Sequence, residues 1–338
     1  MGQNRDITLD ILKGIGIILV IIGHVGHGYG QLVPIIYTFH MPLFFIASGY
    51  FFKQKKIGTL LKRDLHSLIL PYIVVFLCLI LYGTLVAFIQ HDYNKVGYWI
   101  NAFFEGEGRG PLWFLLAMFW ARMLYNILYT ILSKINQTRT NLWCLLITFI
   151  PFALIPLINN PLQYNILCWL NGIHAMFYYS LGAVIKEYNI IAKLKSNYLI
   201  IVYLFLDIIF IYLSIKGTDS LHLGVNMAAF KQNHLIINIL VSIFSFILLY
   251  YFCSYFNKVQ PDLSKKIAWY GQLSLVVFCM HTLLYRIFPF EKLLDYIIAG
   301  TNTPTKSSLI ILLHIIITIV FCKCVEKSSK LKYLFNLK

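Results

Sequence analysis

Apolar residues run along this chain in blocks of about twenty, divided by short polar segments and without alternation inside the blocks. A block of that length is what one α-helix needs to cross a hydrocarbon layer of about 30 Å. Barrel strands would show a period of two over about ten residues instead. The pattern predicts transmembrane helices at roughly 8–28, 33–52, 68–90, 112–132, 142–158, 166–186, 198–215, 235–256, 268–289 and 307–325. The fold class expected is therefore all-α, a polytopic membrane helix bundle of about ten transmembrane helices. The 142–158 segment is short and contains Pro151, which points to a kinked or tilted span.

Composition sharpens this picture. Of 338 residues, 59% are apolar and 12% charged, about half the charged fraction of a soluble domain. The net charge of +15 would suit a nucleic-acid partner if it were clustered, but it is spread over short loops. With the N-terminus inside, 19 of the 28 basic residues fall in inner segments, the densest being Lys53, Lys55, Lys56, Lys62 and Arg63. Outer segments hold six: Lys95, Arg109, Lys216, Lys231, Lys292 and Lys306. That asymmetry places both termini in the cytoplasm and accounts for the charge with no nucleic acid. Asp10 and Lys13 interrupt the first apolar block and no small-x-small cleavage site follows it, so a retained helix is expected rather than a signal peptide. The seven cysteines lie almost entirely in apolar blocks and suggest neither a disulfide framework nor a metal site. A single integral membrane domain over 1–338 is expected.

Ionisable side chains inside a bilayer cost about 2.5–3.5 kcal/mol each, so each one asks for a reason. The first helix has the densest set. Asp10 and Lys13 can pair at i, i+3. Lys13 and His24, eleven residues apart, share one face and stand about 16 Å apart along the axis. Gly14 and Gly16 allow another helix or a ligand to come close. Helix two carries His40, then Pro42, which frees a carbonyl, then Ser48-Gly49, where a narrow ligand or a neighbouring helix could fit. Arg122 and Asp207 both fall mid-span and could pair with each other, or Arg122 could face a tunnel. Ser274 and His281 share a face two turns apart, and Arg286 lies near the outer end of its helix. His174 and His314 read as structural. The 103–113 segment mixes aromatic, acidic and glycine residues, which suits sugar binding, although Trp113 equally suits an aromatic belt.

Together Lys13-x10-His24 and His40-Met-Pro-Leu-Phe-Phe-Ile-Ala-Ser48-Gly49 resemble the membrane acyltransferase-3 family. Lys62-Arg63-Asp64-Leu65…Leu70-Pro71-Tyr72, Pro111-Leu112-Trp113-Phe114-Leu115 and Gly271-x-x-Ser274-Leu275…His281 extend the likeness over nearly the whole chain. The chain looks most like the compact glycan O-acetyltransferase and fucose 4-O-acetylase-like branch. Lysine stands at 13 where that family more often has arginine, so a bidentate fork is not expected there.

The resemblance implies an acyltransferase of the plasma membrane, multi-pass, moving a non-aminoacyl group, most often acetyl, from acyl-CoA to a glycan hydroxyl. Acetyl-CoA is then the donor substrate, no metal is needed, and the acceptor is a capsular or envelope polysaccharide or its lipid-linked precursor. His24 would be general base or acyl carrier. Lys13, oriented by Asp10, would contact the donor, with Ser48, Gly49, Arg63 and Arg122 completing its site and the 53–66 loop seating phosphates. That loop suits a topology signal and anionic lipid contact as well. His40, Trp113, His281 and Arg286 would meet the acceptor. The alternative is a polytopic exporter of a glycan or small solute, for which inverted repeats would be expected and are not seen.

Overall fold

Asp6 starts the first helix, its carboxylate accepting from the backbone N–H groups of Thr8 at 3.0 Å and Leu9 at 3.3 Å. Two of the donors that every helix start leaves open are thereby satisfied. The computed structural model describes residues 6–26, 29–30, 32–91, 97, 101–103, 111–135, 138–194, 197–216, 225–232, 234–288, 290, 294 and 303–337. The helices are α1 (Ile7–Val25), α2 (Leu32–Tyr50), α3 (Ile57–Asp64), α4 (Leu70–Gln90), α5 (Trp113–Ile135), α6 (Thr140–Leu154), α7 (Trp169–Glu187), α8 (Asn197–Ile215), α9 (Leu235–Val259), α10 (Pro261–Gln272), α11 (Ser274–Ile287), α12 (Thr303–Lys327) and α13 (Ser329–Leu334). A π-helical turn, Leu65–Ile69, joins α3 to α4, and short helical turns complete the connections. One antiparallel ladder of two residues per strand, Val225–Asn226 with Lys231–Gln232, is the extended structure among the described residues.

Eight helices among the described residues are long and apolar enough to cross a bilayer, and a ninth appears if α10 and α11 count as one span. Eight of the ten blocks read from the sequence are those helices and the 268–289 block is the bent pair, so the count falls short of ten because the helix of the 166–186 block is not among the candidate spans. The 166–186 block is α7, which is buried on nearly every side and carries Asn171, His174 and Ser180 into the interior. By contrast α4 turns Leu77, Leu81, Leu85 and Phe88 outward, and α8 turns Ile201, Phe205, Ile208 and Tyr212 outward. Those stripes, at three- and four-residue spacing, are the surface a lipid would wet. The Pro151 block continues from α6 into a 3₁₀ turn at Ile155–Leu157.

The 268–289 block departs from expectation. It is not one straight helix: α10 and α11 meet at Leu273 with a bend of 69°. Glycines explain where the bend falls. A side chain on Gly271 would collide with the Asp10 carbonyl, and one on Gly14 with the Ile267 carbonyl, so α10 is drawn hard against α1. Beyond that crossing the chain must turn to stay in the bundle. A second crossing of this kind joins α2 to α7, with Gly49 against the Tyr179 carbonyl and Gly182 against the Ile46 carbonyl. Through these approaches α1 sits between α2, α9, α10, α11 and α12, which makes it the axis around which the chemistry is arranged.

Candidate functional site

At the basic end of the bundle, Lys13 Nζ lies 2.6 Å from Asp10 Oδ1. Gln272, the last residue of α10, donates to Asp10 Oδ2 at 3.1 Å, so the bend described above brings the carboxylate a partner from α10. The basic loop is pinned to α5 by Asn126, which accepts from Lys55 N–H at 3.0 Å and donates to the Lys55 carbonyl at 2.9 Å. Asp64 is fully enclosed and bridges two arginines: Arg63 Nε stands 2.8 Å from Oδ1 and Arg122 Nε 3.1 Å from Oδ2. Arg63 donates its Nε–H to the carboxylate, whereas Arg122 faces it as an ion pair without a hydrogen bond.

They border a cavity of about 440 Å³ whose polar lining includes Lys13, Ser48, Lys53, Lys55, Arg63 and Arg122. Five cations around one space are only partly offset by Asp10 and Asp64, so the space favours an anion. Burial first, then the charge of Arg63, push the Lys55 ammonium below its usual range, with Asp64 opposing.

A narrower space of about 220 Å³ shares Phe44, Phe114 and Arg122 with that cavity and is otherwise mostly apolar. Its lining repeats at helical spacing on three elements: Ile17 and Val20 of α1, Met41 and Phe44 of α2, Leu275 and Phe278 of α11. Following the same faces one turn further reaches His24, Tyr37 and His281.

His24 is half-buried, and its Nδ1 lies 3.3 Å from Tyr37 Oη. Its ring centroid is 5.4 Å from that of His281 and 6.1 Å from that of Tyr285. His281 is in turn 5.4 Å from His314, whose Nδ1 donates to the Ile310 carbonyl at 2.8 Å. His40 is enclosed beside Tyr37, ring centroids 4.8 Å apart, with Nδ1 donating to the Ile36 carbonyl at 2.8 Å. Arg286 lies over the Tyr285 ring at 5.3 Å.

The structure thus places Lys13, Ser48, Arg63 and Arg122 at one cavity, and His24 beside His281 about one helical turn beyond the lining of the narrower space. Other expectations need correction. Gly49 does not open to the cavity, because its bare face is filled by the α7 backbone. Arg122 pairs with Asp64 and not with Asp207, whose carboxylate accepts from Ser245 Oγ at 3.1 and 2.9 Å. Trp113 is buried beside Phe114, ring centroids 6.4 Å apart, and lines neither space. His314 belongs to the His24 group, while His174 is stacked on Phe152 with centroids 4.5 Å apart. Residues 104–110, read as a sugar-binding loop, lie outside the described residues. Asp64, Gln272 and Tyr37 were missed as site residues. Asp64 alone gave a signal, a carboxylate set between the basic loop and an apolar block. Among the described residues no group of three or more His, Cys, Asp or Glu side chains forms a metal site.

A membrane bundle with a cation-lined cavity at one end and a histidine group beyond it is the class of protein this geometry defines. The family model described as an acyltransferase domain matches residues 6–324, and the chain belongs to that family. It is similar to the nodulation protein NolL of Sinorhizobium fredii (strain NBRC 101917 / NGR234), 30% identical over 172 residues, covering 46% of this chain and 44% of that protein. NolL of Mesorhizobium japonicum (strain LMG 29417 / CECT 9101 / MAFF 303099) is likewise 30% identical over 173 residues, 46% of this chain and 43% of that protein. The matched region therefore spans less than half the length of either relative. No solved structure matches the chain significantly.

Proposed function

We propose that the chain is a plasma-membrane O-acyltransferase that takes an acyl group, most simply acetyl, from acyl-CoA on the cytoplasmic side. The acceptor is a hydroxyl of a cell-envelope or capsular polysaccharide or its lipid-linked precursor. One observation carries this reading: the cation-lined cavity and the apolar slot share Phe44, Phe114 and Arg122, and the slot's helical faces lead to His24. Phosphates at one end, a thin apolar arm and a reactive thioester at the other are the parts of acyl-CoA. Arg63 and Arg122, braced by Asp64, and Lys55 meet the phosphates. Lys13, held by Asp10, lines the same cavity and contacts the donor there. His24 removes the proton of the attacking hydroxyl, a sugar hydroxyl being a poor nucleophile without a base, or accepts the acyl group and passes it on.

The test is purified protein in nanodiscs with labelled acetyl-CoA and isolated envelope glycan. Transfer of label to glycan in the wild type, and its loss in His24→Ala with CoA binding intact, is the expected result. Export of unmodified glycan without acyl-CoA would instead overturn the reading.

A further inference from the structure

We propose that His281 is a catalytic residue, its ring N–H receiving the negative charge that develops on the acyl carbonyl oxygen during attack beside His24. This rests on the acyl-transfer reading above and assigns a part of the chemistry that the reading leaves without a residue. Attack on a thioester needs a hydrogen-bond donor at the carbonyl oxygen as well as a base. Lys13, about 16 Å along the helix from His24, is too distant to serve.

His281 has no exposed surface, and neither Nδ1 nor Nε2 has a hydrogen-bond partner among the described residues. A neutral imidazole carries one N–H and one lone pair, and native structures rarely bury such groups unmatched unless a function or a ligand accounts for them. Burying an unpaired imidazolium would be costlier still, so the ring is a neutral donor. Neutral imidazole is an effective electrophile toward a carbonyl in other active sites.

The surroundings of His24 narrow the choice of donor. Tyr37 Oη already lies 3.3 Å from His24 Nδ1. His314 spends its Nδ1–H on the Ile310 carbonyl, so its Nε2, without a partner among the described residues, is a lone pair and cannot donate. Arg286 is one side chain further out, over Tyr285. His281 holds an uncommitted N–H with its ring 5.4 Å from His24, one turn beyond Phe278 of the slot lining. His174 is equally bare but is stacked on Phe152 and edge-on to Phe230 rather than set beside His24, so it has no comparable task.

In the step assigned, the acceptor hydroxyl oxygen bonds to the thioester carbon while His24 takes its proton. The carbonyl π pair moves onto oxygen and is met by the His281 N–H. Collapse restores the C=O bond and breaks the C–S bond, and the departing sulfur takes the proton from His24, giving ester and free CoA thiol. If His24 carries the acyl group first, the same N–H serves both transfers.

Three variants test this in nanodiscs: His281→Phe, which fills the space without a donor; His281→Gln, which restores an N–H; and His281→Leu, similar in volume to Gln. The expected result is a kcat for H281F and H281L lower by about 10²- to 10³-fold. KM values and the calorimetric Kd for CoA should stay within about threefold. H281Q should recover at least about tenfold over H281L. Independently of turnover, the infrared carbonyl stretch of a bound, unreactive acyl-CoA analogue should lie lower in the wild type than in H281L. The proposal is overturned if H281L keeps kcat within about threefold, if the loss is confined to KM, or if H281Q equals H281L. Should H281F not fold, the Gln and Leu pair still decides. A wild type that binds CoA yet transfers no acyl group would overturn the acyltransferase reading itself, which is distinct from an active wild type indifferent to residue 281.

Discussion

Arg122 of α5 stands 3.1 Å from Asp64, the residue that ends α3, and this pair joins the basic loop to the wall of the cavity. Asp64 also holds Arg63 at 2.8 Å, so one enclosed carboxylate sets the direction of two guanidinium groups. Removing one partner of a buried ion pair is strongly destabilising because it strands the other charge.

Asp64→Asn is therefore expected to lower the thermal stability of the protein by about 3–5 kcal/mol. Bound CoA should restore part of the loss by supplying counter-charge to the two arginines. Thermal melting with and without CoA measures both effects. Asp207→Asn should change neither, since its partner is Ser245, and a CoA-dependent shift in that variant would contradict the assignment.

Replacing His24 by Ala should lower the acyl-transfer rate by about 10²- to 10⁴-fold while leaving CoA affinity unchanged. Single-turnover labelling separates the two routes. Labelled protein in the wild type and none in the variant indicates acyl-His, and no label in either indicates a general base.

The crossing of α2 and α7 gives a contrast within one dipeptide. Gly49→Ala puts a methyl into the Tyr179 carbonyl and should destabilise by about 1–3 kcal/mol. Ser48→Ala, at the cavity wall, should leave stability unchanged and weaken CoA binding. A stable G49A protein with impaired CoA binding would return Gly49 to the donor site.

Lys55 should impose a pH dependence. Its ammonium is pushed below the usual range, so the charge is lost at lower pH than for an ordinary lysine. The protonated form attracts phosphate, hence CoA affinity should weaken as pH rises through that lowered value. Calorimetry across neutral to alkaline pH should show this decline in the wild type and a flatter profile in Lys55→Met. Raising the salt concentration should weaken binding in both.

Much of this was legible in the pattern of residues. Helix-length apolar blocks have few alternatives in a bilayer, where every backbone group must be satisfied within its own segment. The alignment of Lys13 with His24 follows from the 3.6-residue period alone. Partners across the bundle were not legible. Arg122 and Asp207 lie at matching depth in the sequence, yet depth does not say which helices are neighbours, and α3 ends in a nearer carboxylate. Gly49 looked open because a missing side chain marks a ligand and a close helix crossing equally well.

From the sequence alone came the helical membrane class, the basic end of the bundle and the first-helix stripe of Asp10, Lys13 and His24. Local periodicity and the cost of charge in hydrocarbon are properties of single segments, which is why a single segment reveals them. Tertiary structure decided that α1 lies at the centre, that Asp64 braces two arginines, and that His281 stands beside His24 with both nitrogens unmatched among the described residues. Those outcomes depend on which surfaces fit together, and the close glycine crossings of α1 with α10 and α2 with α7 settle that through packing between residues far apart in the chain.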